Sequence, residues 1–182
     1  CEKKLIDRSV PLCLVNVIVN WYDKLNACVR WSGAYSSKFS ILCGVRQGSV
    51  LSPLLFNIYV DELIIHSKSS GYGCYIGKSF FGCVMYADDL LLLSASVSDL
   101  QSMLNICCTY GQSHAMLFNS KKSVCCRFGA GNICVTNMKL DSLDIEWVNS
   151  FKYLVVTFFA GLKINIDCQV TKRKFYAACN SV

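Results

Sequence analysis

The sequence predicts an α+β fold, and three observations carry that reading. Apolar residues recur at helical spacing in several stretches, each opened by a proline or a capping serine. Short runs rich in β-branched and aromatic residues lie between and after them, separated by glycines and acidic turns. Hydrophobic types make up 53% of the 182 residues and charged types 16%, which excludes an intrinsically disordered chain and demands a buried core. The length suits one domain or part of a larger one, and no repeat or low-complexity linker divides it.

Val10-Pro11 opens the first predicted helix, with Leu12, Val15, Val19 and Tyr22 on one face as far as about Leu25. Cys28 to Trp31 and Ala34 to Ile41 flank Ser32-Gly33 and predict a hairpin. Ser52-Pro53 marks a second helix start, because Ser caps orphan amides and Pro loses no intrahelical bond in the first turn. Leu55, Ile58, Tyr59, Glu62 and Leu63 trace its face to about Ser67. Gly71 to Ile76, Phe80 to Tyr86 and Leu90 to Ser94 predict a β-meander, broken by Gly77-Lys78 and by Ala87-Asp88-Asp89. Ser96 or Ser98 caps a helix carrying Leu100, Met103, Leu104, Cys107 and Tyr110 and stopping near Gly111. Val124 to Phe128, Cys134 to Leu140 and Phe151 to Phe159 predict further strands, and Ile166 to Cys179 a final helix.

Composition narrows the function classes. The longest charge-free stretches are too short and too polar for a spanning helix, so no membrane segment is expected. No secretory leader is recognisable, and the opening Cys1 points to a fragment. Thirteen cysteines occur without any C-x-x-C spacing and with the adjacent pairs Cys107-Cys108 and Cys125-Cys126, which argues for reduced thiols in an intracellular protein. The net charge of +6 is unevenly spread: Lys24 to Arg46 and Lys121 to Lys139 each hold four basic residues and no acid. Such stretches suit a polyanionic partner, or else an ordinary solvated surface.

Two segments carry chemistry. Tyr86-Ala87-Asp88-Asp89 sets two adjacent carboxylates between the apolar runs Gly82 to Met85 and Leu90 to Leu93. Burying such a pair is costly unless a cation neutralises it, and hard oxygen ligands favour Mg²⁺ or Mn²⁺. A solvent-facing Asp-rich turn is the competing reading. The second segment is Gly44-Val45-Arg46-Gln47-Gly48, which runs on to Ser52-Pro53 and a helix. Its glycine amides, Arg46 and Gln47 suit a phosphate-bearing strand or a nucleotide, although a plain strand-to-helix connection has the same outline.

Together these segments resemble the reverse transcriptase domain of non-LTR, LINE-type retrotransposons, and the resemblance extends over nearly the whole chain. Arg8 to Pro11 with Asn20-Trp21-Tyr22 looks like the helix after that family's first catalytic Asp, and Gly44 to Pro53 like its template and nucleotide loop. Tyr86 to Asp89 matches the Y-A-D-D hairpin, Asn119 with Lys122 the N-x-x-K segment, and Phe151-Lys152-Tyr153-Leu154 the primer grip. The resemblance implies a polymerase palm, an antiparallel sheet with helices on one face, joined by part of the fingers. Residues 1–182 are then one partial reverse transcriptase domain, truncated at both ends, with 163–182 the possible start of a thumb.

It also implies an RNA-directed DNA polymerase that adds dNTPs to a DNA 3′ end on an RNA template, in a nuclear setting. Asp88 and Asp89 would bind Mg²⁺, with Mn²⁺ an alternative. Arg46, Gln47, Gly48, Tyr86 and Ala87 would bind template and nucleotide, and Lys122 would neutralise or protonate pyrophosphate. The family's further metal-binding Asp, in an F-x-x-D strand, is expected to precede Arg8, so these residues alone are expected to form an incomplete, inactive site. Asp7, Asp23 and Asp61 lack the strand context to replace it and read as surface charges. Val155 stands where the family usually has Gly, which questions the tightness of the primer-grip turn. A non-catalytic nucleic-acid-binding remnant or co-opted module is the alternative function. Basic residues beside aromatics, as in Arg30-Trp31, Lys38-Phe39 and Lys174-Phe175-Tyr176, either line a nucleic-acid channel or pack as core with snorkelling neighbours.

Overall fold

The computed structural model describes residues 2–41, 44–45, 48–130 and 136–180. The chain divides into two compact units, Cys1–Ile64 and Ile65–Val182, and the division falls inside a helix.

The first unit holds α1 (Glu2–Asp7), α2 (Leu12–Asp23), four short strands and most of α3 (Ser52–Ser69). Its core is Leu5, Val15 and Leu55, with Val10, Ile18, Val19, Tyr22 and Ile58 packed around them. Val15, Val19 and Tyr22 belong to the expected face of α2, but Leu12 is 63% exposed. Charges join α1 to α3: the Lys4 ammonium donates to the Tyr59 carbonyl at 2.7 Å and lies 2.9 Å from the Glu62 carboxylate. Arg8 pairs with Asp61, so Asp61 is a half-buried partner rather than a free surface charge. Ser52 is the first helical residue and is buried.

The strands of this unit are β1 (Asn26–Ala27), β2 (Arg30–Trp31), β3 (Ala34–Tyr35) and β4 (Phe39–Ser40). β2 pairs with β3 across the expected Ser32-Gly33 turn, and β1 pairs with β4 further down the same hairpin. Ser32 and Gly33 both have positive φ, the backbone that a two-residue hairpin loop of this kind requires.

The second unit begins with the end of α3 and continues through β5 (Tyr75–Ile76), β6 (Ser79–Phe80), β7 (Cys83–Tyr86), β8 (Asp89–Leu92) and α4 (Val97–Ser113). β9 (Val124–Cys125), β10 (Met138–Leu140), β11 (Leu143–Trp147), β12 (Ser150–Tyr153), β13 (Val156–Phe159), β14 (Asn165–Asp167) and α5 (Gln169–Cys179) complete it. The mixture of helix and sheet is as expected, but the strands do not form one antiparallel sheet. Among the described residues there are two-stranded ribbons and two three-stranded sheets, and β9 runs parallel to β11.

The expected meander is two hairpins, β5-β6 and β7-β8, because the run from Phe80 to Tyr86 breaks at Gly82. A Cβ on Gly82 would meet the Phe80 ring at 2.5 Å, and one on Gly73 would lie 3.0 Å from the Gly82 Cα. The backbone bond from Cys74 N–H to Leu93 O still ties the hairpins together, and that from Leu93 N–H to Gly82 O extends the second of them. Phe151 to Phe159 is likewise a hairpin. The segment expected to be wholly helical from Ile166 starts as β14, and residues 134–135 of another expected strand lie outside the described residues. Neither α1 nor β11 was legible beforehand.

The Ser96 hydroxyl caps α4 by accepting from the Asp99 N–H at 3.4 Å. Val97, Leu100, Leu104 and Cys108 turn one side of α4 onto Cys125, Met138, Leu140 and Ile145. Met103, Cys107 and Tyr110 on the same helix are buried as well. Between Val97 and Leu104, Gln101 acts as a piece of strand. Its amide donates to the Lys139 carbonyl and accepts from the Lys139 N–H, both at 2.8 Å, closing the open edge of β10.

Replacing Gln101 with Leu leaves that N–H and C=O without their partner, and we expect a loss of about 1–2 kcal/mol in urea unfolding. The buried thiols give a second expected outcome. Burial first, then Cys83 and Cys108, push Cys107 up to about 12, and burial raises Cys83 and Cys125 to about 11. These groups keep in the folded state protons that the unfolded chain releases above about pH 9. Their contribution to folding stability is therefore full below about pH 9 and is lost as pH rises through about 11 to 12, to be read as a declining urea midpoint.

Candidate functional site

Tyr86 pairs directly with Asp89, so Ala87 and Asp88 form the two-residue loop that reverses the chain between β7 and β8. Ala87 has φ +49° and Asp88 is not left-handed. The β5-β6 loop uses the same order with Gly77 at φ +61°, the residue for which that backbone is unstrained. An alanine there costs about 1–2 kcal/mol relative to its preferred conformations.

Side chains alternate along the ribbon. Cys83 is buried and Met85 half-buried on one face, while Val84 and Tyr86 are exposed on the other, which Asp89 shares through its pairing with Tyr86. Asp88 and Asp89 are both exposed. The apolar flanks do not sequester them, because Asp88 lies in the loop beyond the last strand pair and Asp89, paired with Tyr86, stands on the exposed face of the ribbon. The donor set still fits Mg²⁺: two hard carboxylates open to solvent are what this ion takes from a protein when substrate phosphates and waters complete its shell. No group of three or more His, Cys, Asp or Glu converges among the described residues.

The Phe151 to Leu154 segment meets this hairpin. The Tyr153 hydroxyl donates to the Val84 carbonyl at 3.5 Å, the long limit for such a bond. Burial first, then the charges of Asp89 and Cys83, push the phenol above its ordinary value and keep it a donor. Phe151 stacks on Phe158 across the strand pair, centroids 5.2 Å apart, with Phe128 edge-on to it at 6.5 Å. Lys152 points outward between them. This contact through Tyr153 was not legible in the sequence, where Tyr153 stands 69 positions after Val84.

The turn after Tyr153 is tight despite the missing glycine. Tyr153 pairs with Val156, and Leu154 and Val155 close the loop at φ +47° and +73°. Both are substantially exposed.

Asn119 explains the spacing to Lys122. Its side-chain oxygen accepts from the Lys121 and Lys122 N–H groups at 3.0 and 3.2 Å, and its carbonyl accepts from Lys122 and Ser123. The result is a capped turn that presents Lys122 to solvent. Lys122 makes no ion pair with Asp88 or Asp89 among the described residues. Arg46 and Gln47 lie outside the described residues. Their neighbours Gly44 and Gly48 have φ +100° and +80°, with open space where a Cβ would stand.

The family model that matches this sequence, over residues 3–158, is "Reverse transcriptase (RNA-dependent DNA polymerase)". A Pol polyprotein from the type-1 retrotransposable element R2 of Popillia japonica is 31% identical over 162 residues, covering 84% of this chain and 26% of the relative. Another of that description from the same insect is 37% identical over 109 residues, covering 59% of the chain and 15% of the relative. The RNA-directed DNA polymerase from mobile element jockey of Drosophila melanogaster is 24% identical over 156 residues, covering 82% and 17%. The chain thus spans about a quarter or less of the length of each.

The strained tip gives a direct test. Val155→Gly relieves a left-handed β-branched residue that buries little, so we expect a gain of about 1 kcal/mol in urea unfolding, after the greater backbone entropy of glycine is allowed for.

Proposed function

Because the chain belongs to the reverse transcriptase (RNA-dependent DNA polymerase) family, we propose that it supplies the carboxylate hairpin of a non-LTR retrotransposon polymerase. That enzyme would extend a DNA 3′ end on an RNA template with dNTPs. The observation that carries this reading is the Y-A-D-D segment folded as a two-residue hairpin whose tip displays Asp88 and Asp89 to solvent. In this reading the hairpin is part of a polymerase palm, the strands between α2 and α3 belong to the fingers, and 163–182 begins a thumb.

Each residue then has a task that follows from its setting. Asp88 and Asp89 hold Mg²⁺, or Mn²⁺ in its place. A metal held there would supply a Lewis acid that favours ionisation of the attacking 3′-hydroxyl and offsets charge on the leaving pyrophosphate. Ala87 has the smallest side chain that the loop accepts without being glycine, which leaves space for substrate above the carboxylates. Tyr86, exposed beside Asp89, offers a flat face to a sugar or base. Tyr153 holds the primer-grip hairpin against β7, so that Phe151, Lys152 and Leu154 approach a strand whose end reaches the tip. Lys122 brings a cation on a rigid turn for the departing pyrophosphate, and Arg46, Gln47 and Gly48 receive template and nucleotide.

The test is Asp88→Asn in a chain that also carries the remaining polymerase segments. We expect primer extension on RNA to fall by about 100-fold or more, Mn²⁺ binding followed by water-proton relaxation to weaken, and RNA affinity to hold. Equal extension by variant and parent would overturn the assignment. RNA binding with no metal-dependent extension in the parent itself would favour the non-catalytic binding module.

A further inference from the structure

β14 is the outer strand of the β12-β13-β14 sheet, and the strand register says which groups stand on its free side. Leu154 and Val155 form a two-residue loop, so Tyr153 and Val156 exchange both backbone hydrogen bonds, and Phe151 and Phe158 do so two steps on. The bond from the Ala160 N–H to the Asn149 carbonyl, at 2.7 Å, continues that alternation. Thr157 and Phe159 therefore turn their N–H and C=O groups the other way, to Asp167 and Asn165. By the same alternation Ile164 and Ile166 point theirs away from β13, onto the open edge. Gln101 closes the edge of β10, but no described side chain closes this one. Proline, which commonly blunts an edge, is absent from residues 163–167, and Ile164 and Ile166 are 60% and 53% exposed.

The segment Lys163-Ile164-Asn165-Ile166-Asp167 is complementary to itself when reversed. Laid antiparallel to a second copy about Asn165, it sets Lys163 opposite Asp167 and Ile164 opposite Ile166, each twice. Ile164 and Ile166, whose N–H and C=O groups face the edge, then form the hydrogen-bonded pairs. Lys163 and Asp167 fall at the intervening narrow pairs, where side chains approach most closely. The smallest shift that keeps the same groups on the shared edge is two residues, and it separates Lys163 from Asp167 in either direction. Charge and hydrogen-bond register thus select one pairing. The side chains agree with it: Phe151, Phe158 and Ile166 are opposite one another across the sheet, so Ile164 of the second copy would lengthen an existing apolar row. Asp167 lies on the other face, with Thr157.

We propose that β14 pairs with β14 of a second copy of this chain, joining two three-stranded sheets into one of six strands about a two-fold axis. Such a pairing uses the same edge on both copies and so closes at two. Few residues take part, which makes the dimer a weak one, with a dissociation constant on the order of 10 μM. The proposal uses no residue of the carboxylate hairpin, so it stands or falls separately from the polymerase reading.

The test is sedimentation velocity of the whole chain over a concentration series, with a thiol reductant present so that no disulfide joins the copies. We expect a monomer–dimer equilibrium in the parent. Lys163→Asp sets Asp against Asp at both contacts and Asp167→Lys sets Lys against Lys, so each alone is expected to weaken dimerisation about tenfold or more. An equimolar mixture of the two variants regains opposite charges at both contacts and is expected to dimerise like the parent. The Asp167 carboxylate also accepts from the Gln169 N–H at 2.7 Å, so circular dichroism accompanies that variant. Ile164→Pro removes an edge N–H and no bond to β13, and is expected to abolish the dimer without any change of charge. A parent that stays monomeric at about 100 μM, tenfold above the expected constant, would overturn the proposal. So would growth beyond two copies, a mixture no better than either variant alone, or Ile164→Pro dimerising at parent strength.

Discussion

With Tyr86 paired to Asp89, only Ala87 and Asp88 remain to turn the chain, and much of the candidate site follows from that constraint. The loop is too short to fold its one carboxylate, Asp88, back onto the ribbon. It also fixes the face of Asp89, since side chains alternate and Tyr86 is directly opposite. Cys83 and Met85 take the inward face for the same reason, so the packing of the ribbon and the exposure of its tip are two results of one register. A left-handed alanine is the local cost.

The surrounding unit supports the ribbon by several separate means rather than by one continuous sheet. Gly73 and Gly82 let two hairpins approach within backbone contact, Tyr153 reaches β7 from a third, and α4 closes the edge of β10 with a side-chain amide. The last two join segments 69 and 38 positions apart in sequence. The carboxylate tip is held from behind, and both of its carboxylates are exposed.

Legibility from sequence followed the range of the interactions. α3 and α4 and the Ser32-Gly33 turn were readable because periodicity, a capping serine and a left-handed glycine act within a few residues. Tyr86 to Asp89 was readable as a hairpin tip, but its burial was not, because apolar neighbours in sequence do not decide which residues a two-residue loop carries beyond the ribbon. α1 was missed because its support is the pairing of Lys4 and Arg8 with α3, some 55 residues on in the case of Lys4. The parallel pairing of β9 with β11 depends on contacts that no local pattern announces. The tightness of the turn after Tyr153 was in question without glycine, yet its strand pairing holds Leu154 and Val155 in the tight form.

The shortness of these loops also restricts how such a sequence can diverge. An exchange of one residue for another at Ala87 or Val155 leaves the number of loop residues, and so the strand register, unchanged. Adding or removing one residue is a different event. It shifts the pairing by a single step and sends every side chain of the strand, Asp89 included, to the opposite face. Descendants of this segment can therefore vary in composition while the interval from Cys83 to Leu92 stays constant in length, and changes of length must collect elsewhere in the chain.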